Sequence, residues 1–227
     1  MNYDCIVSLT TWKGRINDPR LPKVIFRLLK QQETKYKYKV VLVLSREEFG
    51  DDYQVPERLA LLAEDPNFEI LWTDKNTKAL KKLDPTMAKY PDIPIITLDD
   101  DDFVHKYAID MMMQAHEMHP EAILGTICGA FYPPVVRVAG IRLFPPHSLA
   151  DMPYQLFKDY FQGLHDDEWN GIRAMVKGTK HLKVADKLII DANYFGRDSA
   201  FRKEYNKFRF KPAFEKFKKE HPEYNLK

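Results

Sequence analysis

Four consecutive aspartates, Asp99 to Asp102, close the apolar run Ile93-Pro94-Ile95-Ile96-Thr97-Leu98. Carboxylates are hard oxygen donors, which suit magnesium, manganese or calcium better than zinc. Neighbouring carboxylates ~4 Å apart repel by about 1 kcal/mol in water and by more near protein, and a divalent cation removes that repulsion. Alternate residues of an extended chain project to one side. Asp99 and Asp101 are therefore the pair expected to share a cation, with Asp100 and Asp102 facing the other way. A solvated acidic turn is the competing reading. Position speaks for the metal: Ile95 to Leu98 is short, apolar, partly β-branched and preceded by Pro91 and Pro94, as a buried strand would be. Ligands of open α/β sheets gather at the carboxyl ends of strands.

A second acidic group, Asp166-Asp167-Glu168, stands before Trp169 and opens a helical stretch. Metal-assisted transfer between oxygens needs such a division of labour. One carboxylate pair holds a cation that neutralises charge growing on a phosphate leaving group. A separate carboxylate takes the proton of an attacking hydroxyl. Helix capping is the stronger reading of the second group taken alone, because acids in a first turn complement the dipole and Asp is a good cap. His105, His147 and His181 are candidate third metal ligands or ordinary hydrogen-bonded histidines. Trp12 and Trp169 are candidate stacking surfaces for a sugar or base, or core residues.

The elements that must position these groups alternate. Strand patterns cover Tyr3–Leu9, Val40–Leu44, Phe68–Trp72, Ile95–Leu98, Ala122–Ala130, Val135–Phe144 and Leu188–Ile190. Helical spacing covers Leu21–Gln32, Arg58–Ala63, Tyr107–His119, Tyr154–Leu164 and Gly171–Lys177, with a helix or turn at Thr77–Leu83. Ile109, Met112, Met113 and Met118 read as core filling. Alternation at this spacing predicts an α/β fold: a mostly parallel central sheet flanked by helices.

The chain has 227 residues, 44% hydrophobic, so a proper core is within reach without disulfides. Cys5 and Cys128, both in apolar segments, read as small core residues of a reducing compartment. The start Met-Asn-Tyr-Asp lacks the pattern of a secretory leader, and no apolar run reaches the ~20 residues of a membrane span. A cytoplasmic protein is the expectation. A net charge of +2 argues neither for nor against nucleic acid, and none is expected as a partner. From Arg197 the composition turns aromatic and basic. An amphipathic helix on an anionic membrane and a helix packed back on the domain both fit that tail. The expected division is a catalytic domain over 1–196 and a helical extension over 197–227.

Taken in order, the motifs resemble those of small bacterial GT-A glycosyltransferases of capsule and lipopolysaccharide biosynthesis clusters, over most of residues 3 to 185. The opening Ile6-Val7-Ser8-Leu9-Thr10-Thr11-Trp12, with Arg15-Ile16, resembles their nucleotide-binding start. Thr97-Leu98-Asp99-Asp100-Asp101 resembles their D-x-D element, Leu143-Phe144-Pro145-Pro146 their Tyr-Pro-Pro-like turn, and Asp166-Asp167-Glu168-Trp169 their late Asp-Asp-x-Trp element. Asp102, His105, Phe144 and Glu168 depart from the usual pattern.

The resemblance implies a single GT-A domain and transfer of a sugar from a nucleoside-diphosphate sugar, a UDP-sugar foremost, to a hydroxyl of a glycan or lipid-linked acceptor. It implies Mn2+ or Mg2+ at Asp99 and Asp101, and Asp100 near the ribose or donor sugar. Thr10, Thr11 and Arg15 would line the base and diphosphate pocket, with Lys78 and Lys82 adding charge to the diphosphate. Asp167 would be the base, with Asp166 as fallback, and the reaction would then invert the anomeric centre. Contact with the inner face of the membrane would run through 201–219. A metal-dependent nucleotidyl- or phosphotransferase and a non-catalytic, cation-dependent carbohydrate-binding domain are the alternatives. Neither G-x-G-x-x-G nor G-x-x-x-x-G-K-[ST] occurs in the chain.

Overall fold

The computed structural model describes residues 2–132, 135–184, 188–192 and 208–226. Its centre is a seven-stranded sheet built from β1 (Cys5–Thr10), β2 (Tyr38–Ser45), β3 (Phe68–Thr73), β4 (Ile95–Thr97), β6 (Ile123–Tyr132), β7 (Val135–Phe144) and β8 (His181–Lys183), in the order β3-β2-β1-β4-β7-β6-β8. The strands β1 to β4 run parallel, β7 runs antiparallel to both β4 and β6, and β8 pairs parallel with β6. Only β7 is reversed. The central strands are apolar on both faces, as a sheet covered by helices on both sides requires: Ile6, Val7 and Val40 to Leu44 are fully buried.

One face packs on α1 (Arg20–Lys30) and α5 (Ala108–Met118), through Val24, Ile25, Leu28 and Met112. The other packs Ile6, Val41, Val43 and Phe144 with Ala174 of α7 (Asp166–Lys177). Short helices α2 (Arg46–Phe49), α3 (Glu57–Leu62) and α4 (Asp84–Lys89) complete the connections. A two-stranded antiparallel ribbon stands apart, pairing β5 (Asp102–Val104) with β9 (Ile189–Ala192).

A second core is almost wholly aromatic. It joins α6 (Tyr154–Phe161), α7 and α8 (Phe210–Glu220) through Phe157, Phe161, Trp169, Phe214 and Phe217. The described part of the basic aromatic tail thus turns its phenylalanines onto the domain, while Lys211, Lys216 and Lys219 stay exposed. Trp169 stacks on Phe157 at 5.5 Å and belongs to this core. The site of the expected boundary between 196 and 197 lies outside the described residues, as do Phe201 and Tyr205. Among the described residues no helix is long and apolar enough to cross a membrane.

Several expectations are corrected. Helix α7 begins at Asp166, not Gly171, so all three late acids are helical. Met118 is 70% exposed and is not core. The helices α2 and α4 and the strands β5 and β8 are too short to show a hydrophobic period. Cys5 is buried, and burial raises its thiol far above the ordinary range; the surroundings of Cys128 lie outside the described side chains.

Candidate active site

The acidic run is a turn, not an extended strand. After β4 the Leu98 amide donates to Ser8, keeping the chain beside β1, and the Asp102 amide donates back to the Asp99 carbonyl at 3.3 Å. Asp102 then opens β5 and pairs with Ala192. The expected alternation of the four side chains is lost in this turn. Asp99 faces Lys82, whose ammonium donates to it at 2.6 Å. Asp100 and Asp101 share Arg15, at 2.5 and 3.3 Å, and the Asp101 carbonyl accepts from Arg20 at 2.8 Å.

These partners and burial set the acids apart. Lys82 pulls Asp99 down to about 2, against the desolvation of its carboxyl and with Arg142 and Arg15 assisting. Asp99 still keeps 57% of its side-chain surface open to solvent. Burial raises Asp100 against the pull of Arg15. Burial, with repulsion from neighbouring aspartates, pushes Asp101 up to about 6 and Asp102 to about 7. One acid is thus ionised and open, and its neighbours carry the cost of crowding that a cation would relieve.

The loop after β1 is pinned from beneath. Thr10 donates its hydroxyl to the Val43 carbonyl at 2.7 Å, and Thr11 is buried beside Asp100. Lys81, only 1% exposed, donates to Glu48 at 2.6 Å and lies 3.5 Å from the Thr11 carbonyl, while Glu48 also accepts the Lys13 amide at 3.0 Å. Trp12 is 57% exposed, its indole over Gly14, where a Cβ would stand 2.3 Å from the ring. Arg15 closes this turn through its amide to the Trp12 carbonyl.

Lys81 and Lys82 lie on a 3-10 turn, Lys78–Lys82, that buries both of them. Lys78 sits at a positive φ of 53° and reaches the Gln162 carbonyl at 3.2 Å, away from the aspartate turn. Of the two lysines expected to serve the diphosphate, the structure brings Lys82 to the acids and leaves Lys78 at the end of α6.

The second acidic group arrives on α7. His165, in the left-handed region at φ 62°, swings the chain into α7. The three acids occupy the first turn, but no side chain caps the helix there. Asp166 lies 3.5 Å from Lys82 and 3.6 Å from Arg142. Asp167 is ion-paired with Arg142 through Oδ1. Glu168 points inward, fully buried, 3.4 Å from His165. Arg142 stands opposite Thr97 because β7 runs antiparallel to β4, which places it just before the aspartate turn. Sequence reasoning missed this arginine and the Lys81–Glu48 pair; the one signal was a lone charge inside the apolar stretch Gly140-Ile141-Arg142-Leu143.

Among the described residues no group of three or more His, Cys, Asp or Glu side chains forms a metal cage. His147 pairs with Asp92, just before β4 and so at the strand end opposite the aspartates, and His181 sits on the edge strand β8, opposite Ile123 at the start of β6. His105 faces Tyr107 and the end of α1. What the turn offers a cation is carboxylates, hard oxygen donors of the kind that magnesium and manganese take together with substrate phosphates. Two surface grooves, of about 640 and 480 Å³, lie beside α1, α3 and β5 and not over the acids.

No protein-family model and no curated protein matches the sequence. Solved structures do. S. aureus TarS superposes with a TM-score of 0.54 at 14% identity, over 82% of this chain and 36% of TarS. A mannosyltransferase from Pyrobaculum calidifontis, PcManGT, solved with GDP-Man and Mn2+, gives 0.56 at 14% identity, over 85% of this chain and 57% of that one. The fold is GT-A. The chain spans only about a third to six tenths of the lengths of TarS and PcManGT. A 4-diphosphocytidyl-2C-methyl-D-erythritol synthase also matches, at 0.50 and 11% identity, over 95% of its length.

Proposed function

We propose that the protein is a metal-dependent glycosyltransferase. It moves a sugar from a nucleoside-diphosphate sugar, with UDP the first nucleotide to test, to a hydroxyl of a glycan or lipid-linked acceptor, with inversion. One observation carries this reading: Lys82 lies 2.6 Å from Asp99 and 3.5 Å from Asp166, so one buried ammonium joins the two acidic groups picked out in the sequence. The likeness to TarS, solved with UDP and with UDP-GlcNAc, and to PcManGT supports it.

In this reading Asp99 and Asp101 hold manganese or magnesium, whose chemical contribution is to neutralise charge on the departing diphosphate. Arg15 and Lys82, already at the acids, add to that positive field, and Thr10 and Thr11 shape the base and diphosphate pocket. Asp100 serves the ribose or donor sugar, and Lys78, engaged with the Gln162 carbonyl, leaves the diphosphate to Lys82 and Arg15. Asp167, tied to Arg142 through Oδ1, takes the proton of the acceptor hydroxyl on Oδ2, with Asp166 as its stand-in. The acceptor oxygen bonds to the anomeric carbon as the carbon–oxygen bond to phosphate breaks, and the electron pair leaves with the diphosphate. General-base assistance of this kind contributes ~10²–10⁴ in rate.

The same reading assigns residues 1–196 to catalysis and 197–227 to a packed extension, in a cytoplasmic protein. Membrane contact through 201–219 would rest on the basic side of α8, because its phenylalanines are spent on the domain. The match over nearly the whole length of the diphosphocytidyl synthase favours one second reading, nucleotidyl transfer. Incubation with UDP- and GDP-sugars, and separately with nucleoside triphosphates plus sugar phosphates, distinguishes them. The proposal expects nucleoside diphosphate release that Asp167→Asn removes; pyrophosphate release alone would overturn it.

A further inference from the structure

We infer that the groove between α1 and α3 is a binding face for anionic phospholipid at a membrane surface. Two of the most exposed large hydrophobic residues, Phe26 at 46% and Leu61 at 58%, both line this groove of about 640 Å³. Pro19, Pro22, Leu62 and Phe103 complete its apolar lining. Lys23, Arg27 and Arg58 line the same groove, and no carboxylate does.

Charge pairing sets these three cations apart. Immediately alongside, Lys30 is paired with Asp65 and Lys106 with Glu33. Lys23, Arg27 and Arg58 pair with no carboxylate among the described residues; Arg27 is instead laid over the Phe103 ring at 4.5 Å. An apolar slot with an unneutralised cationic lining is complementary to an amphiphile that carries a phosphate beside an alkyl chain. Each cation near an anionic surface raises partitioning by roughly fivefold, and the buried chain adds to it. A protein partner would need no such match of phosphate and chain.

The placement is consistent with use. Phe103 follows Asp101 by two residues and Pro19 precedes Arg20, whose guanidinium holds the Asp101 carbonyl, so the groove opens beside the aspartate turn. The described part of α8 offers lysines but no exposed phenylalanine. The inference stands whether or not the cleft transfers sugar.

Flotation of the full chain with vesicles tests it. Vesicles of phosphatidylcholine mixed with phosphatidylglycerol should carry the protein, pure phosphatidylcholine should carry roughly tenfold less, and high salt should release it. The double variant Phe26→Ser/Leu61→Ser and the single variant Arg58→Glu alter exposed positions, so their melting temperatures should match the parent while flotation falls roughly tenfold. Lys218→Glu/Lys219→Glu in α8 should lose much less flotation than either groove variant, and inorganic phosphate exchanged for chloride at constant ionic strength should leave flotation unchanged. Several results would each overturn the inference: a parent that does not float, equal flotation of Phe26→Ser/Leu61→Ser, loss only in the α8 variant, or displacement by phosphate alone. So would self-association of the chain that the same double variant abolishes.

Discussion

The Lys82 ammonium donates to Asp99 across 2.6 Å, from a side chain only 7% exposed to one 57% exposed. A buried cation thus holds a solvent-open carboxylate and keeps it ionised, while the same ammonium lies 3.5 Å from Asp166. Lys78, four positions earlier, is engaged with a backbone carbonyl instead. Lys82→Ala is therefore expected to raise KM for the nucleotide-sugar donor by roughly tenfold or more and to lower kcat as well, whereas Lys78→Ala stays within about threefold of the parent. Steady-state kinetics on the two variants check this, and equal effects would mean that the diphosphate spans both lysines.

Arg142 is expected to be the costliest polar residue to remove. Its buried guanidinium is paired with Asp167 and stands near Asp166, and both acids are about a quarter exposed or less. Arg142→Met strands Asp167 and leaves Asp166 with Lys82 alone, and should cost about 2–3 kcal/mol, a partly exposed version of breaking a buried pair. Arg142→Lys, which keeps the charge and loses the fork, should recover part of that. Urea denaturation measures both.

Parts of this arrangement were legible in the sequence, and the missing parts have physical reasons. The parallel core was visible because strands covered on both faces read as continuous apolar runs such as Val40–Leu44. The acids were visible because carboxylates at a strand end are costly without a purpose. What local pattern could not disclose is pairing at long range. Arg142 reaches the aspartate turn only because β7 is reversed beside β4, and no residue near it announces that. Lys81 looks like a solvated helix lysine, yet Glu48, brought in by the connection after β2, lets it be buried. The alternation rule failed at Asp99–Asp102 for a local reason: the chain turns there in order to pair β5 with β9. The aromatic tail was ambiguous because a helix that packs on a domain and one that lies on a membrane share the same stripe.

The packing of α8 makes it part of the candidate site's support. Phe217 is fully buried and meets Trp169 of α7 edge-on at 6.0 Å. Phe217→Ala should cost about 3–5 kcal/mol. Because the same helix carries Asp167, kcat should fall further than donor binding. Denaturation together with nucleotide titration separates the two effects; unchanged kcat in a folded variant would mean that α7 holds its place without α8.

Acid sensitivity should come in part from His181. Burial lowers its pKa to about 4, against roughly 6.5 in the unfolded chain. The unfolded chain binds the extra proton first, so the stability contribution is complete above about pH 6.5 and is lost as pH falls toward about 4. The loss is on the order of 1–3 kcal/mol. His181→Gln should flatten the melting temperature between those values, and an unchanged slope would place the sensitivity elsewhere.

The most direct measurement is the melting temperature of the protein with nucleoside diphosphates, with and without manganese. The account predicts stabilisation by UDP or GDP only when manganese is present, kept in Asp167→Asn and lost in Asp101→Asn, which should also abolish transfer. A ligand at about a hundred times its Kd contributes about 2.7 kcal/mol, a shift well within reach of the method. Indifference to every nucleoside diphosphate in the presence of manganese, or an equal shift in Asp101→Asn, would contradict it.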